Sequence, residues 1–326
     1  AYWSTTTKRA LNCYQISGLK HHDKFIDAYV MLKQACAAAN KKSKAITAKQ
    51  GDAIIKACKE IVDGNLRDEF VVDVFQMGAG TSFHMNVNEV IANRANELLG
   101  GKIGVYDKVN ANDHVNFGQS TNDTFPTSTR LATLLMYRDY LEKPLLDFEK
   151  ALFAKGKEFD KIVKSARTHL QDAVPIRLGQ EFKAYGEAIK RAHKSIRNAR
   201  EFVKEFGIGG SAAGTGINTA TGYREEVLKN LKTITKIKDL KLSPNMCEAM
   251  QSQRPIADMS AALRNLAIEV SRICNDLRLM SSGPTTGFAE INLPPVAPGS
   301  SIMPGKVNPS MLECANMVCF EVIGND

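Results

Sequence analysis

Residues 299–309, GSSIMPGKVNP, set Ser300, Ser301, Lys306 and Asn308 among glycines and prolines. The apolar pair Ile302 and Met303 is too short for a strand or a helix face. Gly299, Pro304, Gly305 and Pro309 interrupt regular structure, so the segment reads as a loop. A surface linker needs neither the lysine nor an ordered set of hydroxyl and amide groups. A site that handles an anion uses both, although the segment alone admits either reading.

Three other polar stretches border helical patterns. GAGTSFHMN brings Thr81 and Ser82 to a helix start, and QSTNDTFPTS places Ser120, Thr121 and Asn122 just ahead of a long helix expected to begin near Pro126. Helix N-termini carry unpaired amide hydrogens and partial positive charge, so hydroxyls and amides there form a cradle for a carboxylate or phosphate. The same residue types are also the preferred helix caps, and each stretch taken alone allows that simpler role. In RTHLQDAVPIRLGQEF, Thr168 and His169 precede a polar turn and Pro175. Gln171, Asp172 and Gln180 lie close enough in sequence to fix an imidazole tautomer.

Metal and nucleotide signatures are missing: there is no HExxH, no Walker loop and no GxGxxG after a strand, and no metal site or cofactor is expected. The glycine-rich GIGGSAAGTGIN reads as a tight bend between two long helices. It has no lysine and no preceding strand signal to make it a phosphate loop.

The elements that must hold these stretches are helical. Apolar residues Met259, Leu263, Leu266, Val270, Ile273, Leu277 and Met280 recur in steps of four and three, a heptad seam. Tyr185, Ile189, Ala192, Ile196, Ala199, Val203 and Phe206 form a second seam. A third helical stretch is expected over roughly 128 to 163 with a kink at Pro144. Seams this long need partner helices of similar length, so the centre reads as an elongated bundle, with partners from one chain or several. Residues 1–120, with shorter helices near 25–40, 47–62 and 86–99, read as an N-terminal domain, and residues 121–326 as the central helical bundle. The fold class is all-α.

Composition excludes several classes. With 326 residues, 44% of them hydrophobic, the chain can bury a large core. No apolar run of about 18 residues is present to span a membrane, and the start lacks the apolar centre of a signal peptide. The seven cysteines are odd in number and contain no CxxC, which fits reduced thiols of a cytoplasmic or matrix protein. The net charge of +8 comes from lysines scattered among acids, as in KALFAKGKEFDKIVK, without aromatic interleaving, so nucleic acid is not the expected partner. A basic surface also steers a small dianion toward a cleft.

GSSIMPGKVNP resembles the signature loop of the fumarase/aspartase superfamily, and GTS, STND, TH.QDA.P..LGQEF and GTGIN occur in that family's order over nearly the whole chain. The resemblance implies a homotetramer around a bundle of long helices, with each active site assembled from three subunits. It also implies a C-terminal domain beyond residue 326. The implied reaction is a reversible, metal-free anti elimination from a substituted succinate to fumarate through a doubly charged enediolate. By the same resemblance Ser300 is the general base and Lys306 and Asn308 hold one carboxylate. Thr81, Ser120, Thr121 and Ser301 cradle the enediolate, while Asn122, Thr168 and His169 surround the leaving group.

Within the family, GAGTS, THLQDAVP and Asn110 in NANDHVN lean toward the aspartase branch, which is the expected activity. GGSAAGTGIN and EAMQSQRPIADMSAALRNLA look more like class II fumarase, the alternative reading; an inactive structural homologue is the remote one. His84 stands where asparagine is usual in GTS.NMN, and Thr285 where arginine is usual after SGP.

Overall fold

The computed structural model describes residues 1–326. In chain order its helices are α1 (Thr5–Cys13), α2 (Asp23–Lys42), α3 (Ala48–Val62), α4 (Thr81–Leu98), α5 (Thr121–Met136), α6 (Glu142–Glu158), α7 (Leu178–Val203), α8 (Tyr223–Thr235), α9 (Met246–Gln251), α10 (Arg254–Met280) and α11 (Ser310–Gly324). Four short strands accompany them: β1 (Val163–Thr168), β2 (Gln171–Arg177), β3 (Glu205–Phe206) and β4 (Lys241–Leu242). None of the helices is long and apolar enough to cross a membrane.

The chain forms two compact units, one of Ala1–Asp139 with Glu201–Gln253 and one of Tyr140–Arg200 with Arg254–Asp326. This partition differs from the expected division at residue 120. Helix α5 packs on α2, and so does α8 from much later in the sequence, so both join the N-terminal helices.

In the first unit α2 is central and contacts α3, α5 and α8, with Tyr29, Leu32 and Cys36 fully buried. Helix α3 starts at Ala48 because Thr47 and Gln50 form a reciprocal capping box. The start of α1 is closed by a side chain from elsewhere: buried Glu89 on α4 accepts from the amides of Ser4, Thr6 and Thr7 at 2.7, 2.9 and 3.2 Å. These are amides that a helix leaves unpaired. Helix α4 begins at Thr81, earlier than the expected residue 86, after Gly80 in the left-handed region. A side chain at Gly80 would run into the ring of Phe125, so the glycine lets α4 approach α5.

The stretch read as one helix from 128 to 163 is two. Helix α5 begins at Thr121, with Pro126 in its second turn, and a π-helical stretch at Tyr137–Leu141 separates it from α6. The irregularity lies just ahead of Pro144: the chain is helical without a gap from 121 to 158, so the missing N–H of Pro144 leaves the carbonyl of Tyr140, inside the π-helical stretch, without its α-helical partner. The structure also adds an antiparallel hairpin, β1–β2, that periodicity did not signal. Nor is GIGGSAAGTGIN a bend between long helices: it joins the short β3 to α8.

In the second unit α6 and α7 meet through glycines. A Cβ at Gly179 would lie 2.7 Å from Asp160 Cα, and one at Gly156 would lie 2.7 Å from Lys183 Cγ. Tyr185 of α7 lies under the guanidinium of Arg272 from α10. All seven residues of the Tyr185–Phe206 seam are buried within the single chain, although Phe206 belongs to β3. The α10 seam is covered along one row only: Met259, Leu266, Ile273 and Met280 are buried, while Leu263, Val270 and Leu277 are half-buried. Beside that row an open groove of about 680 Å³ runs between α7 and α10, lined by Ala184, Ala188, Ser195 and Ile268 among others.

Gly179→Ala should cost about 1–3 kcal/mol, because the added methyl meets backbone that cannot rotate away. Chemical denaturation checks this, with Lys194→Ala, at an exposed position of α7, as an unaffected control.

Candidate active site

In the first unit the N-termini of α4 and α5 come together. Ser120 is the N-cap of α5: its hydroxyl accepts from the Asn122 amide at 3.1 Å, and the Asp123 carboxylate takes the Ser120 amide at 2.9 Å. The other oxygen of Asp123 accepts the amides of Gly209 and Ser211 at 3.2 and 3.1 Å, and the Asn122 side chain donates to the Ala212 carbonyl at 2.9 Å. The glycine-rich stretch is therefore tied to the start of α5. Burial pushes the Asp123 carboxyl up to about 6, against the pull of three amides and Lys33. Ser120 thus caps a helix, and its side chain also stands at a positive helix end. Capping and cradling are compatible here, because the hydroxyl keeps its hydrogen when its oxygen accepts.

Thr81 is the first residue of α4 and half-buried. Thr121, the first residue of α5, is buried and bonded through Oγ1 to Nδ1 of His84 at 2.6 Å. Beyond His84 lies a residue that the sequence motifs did not single out. Lys33 of α2 is fully buried, and its ammonium reaches His84 Nε2 at 2.7 Å and the side-chain oxygens of Asn116 and Gln119 at 2.9 Å each. Burial pushes Lys33 down to about 7. Burial, and then the charge of Lys33, hold His84 well below its ordinary value, so the imidazole is neutral. A sequence signal for Lys33 does exist: it falls on the buried stripe of Ile26, Tyr29, Val30 and Ala37, where a lysine needs a reason.

The remaining expected residues lie in the second unit. Thr168 ends β1 and pairs with Gln171, and His169 with Leu170 forms the hairpin turn itself. Both turn residues have left-handed φ, 53° and 63°, where non-glycine residues are uncommon and strained. The two-residue loop requires that conformation to match the strand twist. Next to Thr168, Arg167 binds Glu290 through two bonds of 2.5 and 2.9 Å, and Lys164 joins Glu290 at 2.8 Å and Glu181 at 3.1 Å. The end of β1 is thereby held to the segment that leads into the signature loop. Arg167 and then Lys164 hold the Glu290 carboxyl below its usual range.

The loop at 299–309 is folded on itself. Asn308 donates a side-chain hydrogen to the Gly299 carbonyl, and the Lys306 carbonyl crowds Gly299 so closely that no Cβ fits there. Ser300 Oγ accepts the amides of Ile302 and Met303 at 3.2 and 3.0 Å. Ser301 and Lys306 are exposed, while Ser300 and Asn308 are half-buried. One Asn308 hydrogen is used inside the loop, which leaves the other for a ligand.

A family model described as Lyase matches residues 1–324. The aspartate ammonia-lyase of Bacillus subtilis (strain 168) is 45% identical over 325 residues, covering all of this chain and 68% of that protein. A class II fumarate hydratase of Corynebacterium glutamicum is 46% identical over 326 residues, covering all of this chain and 67% of that one. A crystal structure of a fumarate lyase:delta crystallin from Brucella melitensis superposes with a TM-score of 0.93 at 45% identity, over all of this chain and 71% of the other. Matched in sequence along its length and in the course of its backbone, the chain belongs to the fumarase/aspartase superfamily of lyases.

Proposed function

We propose that the protein is an aspartate ammonia-lyase, releasing ammonia from L-aspartate to give fumarate. The observation that carries the elimination chemistry is Ser300, whose oxygen receives two loop amides. Donors aimed at a hydroxyl oxygen favour its ionised form, and Lys306 in the same loop adds positive charge. Ser300 then takes the proton from the carbon beside one carboxylate, and the electron pair moves into that carboxylate as an enediolate. Collapse of the enediolate forms the double bond and expels the ammonium nitrogen as ammonia. Hydroxyls of Thr81, Ser120, Thr121 and Ser301 meet the developing charge, each well-placed donor being worth about 3 kcal/mol by precedent. Lys306 and Asn308 hold the other carboxylate, and Asn122, Thr168 and His169 surround the amine.

GAGTS, Asn110 and THLQDAVP favour aspartate as the substrate. Asn110 caps the turn at 111–115 by accepting the amides of Asn112 and Asp113 at 2.8 and 3.1 Å. A second reading, fumarate hydratase, is favoured by GGSAAGTGIN and EAMQSQRPIADMSAALRNLA and by the fumarase relative at 46% identity. Assembly as a homotetramer belongs to the same proposal. The half-open row of α10 and the small residues lining the groove beside Ile268 suit a helix from another subunit.

Full-length protein given L-aspartate should produce the fumarate absorbance, and L-malate should not; the reverse pattern assigns the chain to the fumarases. Ser300→Ala should lower kcat by several orders of magnitude while the affinity for succinate, an unreactive dicarboxylate, changes little. Near-normal turnover in that variant, with a dead His169→Ala, would move the base to His169. Ile268→Asp should shift the protein to smaller species in light scattering and abolish activity with it; an active monomer would refute shared sites.

A further inference from the structure

We infer that Glu290 is a positioning residue for the turn that carries Thr168 and His169: it joins Arg167 and Lys164 to the end of α10 in one anchor, which sets how that turn faces the leaving group of a substrate. This rests on the proposed placing of Thr168 and His169 around the amine, and adds to it what holds them there.

The hairpin has little apolar packing with which to orient itself. Thr168, His169 and Leu170 are exposed, and so are residues 171–175 of β2. The two-residue loop fixes the shape of the turn but not the direction in which the hairpin points. That direction has to come from side chains at its base. Arg167, one residue ahead of Thr168, is gripped by Glu290 through both of its carboxylate oxygens, at 2.5 and 2.9 Å. Such a two-bond fork sets an angle as well as a distance. Lys164 adds a bond of 2.8 Å to the same carboxylate and reaches Glu181 of α7 at 3.1 Å. Residues three apart point to opposite faces of a regular strand. Here the ladder register shifts between Ser165 and Arg167, and with the added twist of a bulge both cations reach one carboxylate.

The carboxylate itself starts from fastened backbone. The amides of Ala289 and Glu290 donate to the carbonyls of Ser282 and Met280 at 2.8 Å each, and the Phe288 amide donates to the Ser282 hydroxyl at 3.1 Å. Gly287 lies so close to Ser282 that a Cβ would fall 2.4 Å from its carbonyl carbon. The segment 282–290 is thus folded back on the end of α10. Its Phe288 ring lies under the Arg167 guanidinium, 4.5 Å away, so one arginine is held by a charge and by a ring face. An isolated ion pair in water would contribute little. These four charged side chains are only 10 to 20% exposed, where solvent screens them less, and all lie within the second unit.

Glu290→Gln in the full-length protein tests this, since the amide keeps the size of the side chain but turns N–H groups toward Arg167 or Lys164. Amide hydrogen exchange over residues 165–172 should quicken while that of α7 and α10 stays as in the unmutated protein; an unchanged hairpin would overturn the anchor. Kinetics separate orientation from general damage. For the substrate that the enzyme turns over, kcat/KM should fall about tenfold to a hundredfold, as when a group beside the reacting atoms is misplaced. The affinity for succinate, which has no leaving group, should change little, and an equal loss for both ligands would overturn the positioning role. Arg167→Lys, which keeps the charge without the fork, should fall between Glu290→Gln and the unmutated enzyme. In a His169→Ala background Glu290→Gln should cost less than it does alone, because less remains to be placed; fully additive losses would count against the inference. If Thr168→Ala and His169→Ala each leave kcat/KM unchanged, what fails is the placing of the turn around the amine, and the exchange measurement still reads the anchor by itself.

Discussion

A lysine ammonium inside an apolar helical core has to be surrounded by acceptors or give up its charge, and much of the first unit is arranged around that requirement. Lys33 projects from α2, the helix against which α3, α5 and α8 pack. To supply its three partners the chain brings up the α4 side chain of His84 and folds residues 116–119 so that two side-chain amides converge. The backbone carbonyls of that short segment fix the amides in turn. The segment leads straight into Ser120, the N-cap of α5.

The start of α5 is a junction for a second reason. Asp123 sits in the first turn, where a carboxylate satisfies the helix end, yet its second oxygen reaches across to the backbone of Gly209 and Ser211. One carboxylate therefore closes its own helix and holds a distant glycine-rich strap. Farther along the same helix, buried Arg130 donates to the carbonyls of Ala249 and Ser252 at 3.1 Å each, closing the last turn of α9. Charges placed on α5 thus satisfy backbone groups of elements far away in the sequence.

The family was legible because its motifs sit in short, ordered runs bounded by glycine and proline, where a hydroxyl or lysine has no packing duty. The helical class was legible from period alone, and the α7 seam is buried residue for residue, up to the β3 residue Phe206. What failed were features that depend on distant partners. The hairpin at 163–177 alternates no apolar residues, because its side chains are mostly exposed and its order comes from Arg167 and Lys164 meeting Glu290 more than a hundred residues later. Lys33 was passed over because a lysine in a helix is ordinarily a solvated one. Only the apolar stripe on which it stands marks it as different.

The closed form of the signature loop bears on the entropy of binding. A flexible loop that had to fold round its ligand would lose backbone freedom at roughly 1–2 kcal/mol per residue, taken from whatever affinity its contacts provide. Here the Asn308 to Gly299 bond joins the two ends, and the Ser300 hydroxyl gathers the next two amides. Glu290 anchors the chain upstream on Arg167 and Lys164, and α11 begins directly after Pro309. The ordering is thus done within the loop before any ligand arrives. The contacts that hold the loop's shape are its own, so it meets a ligand with its serine already set.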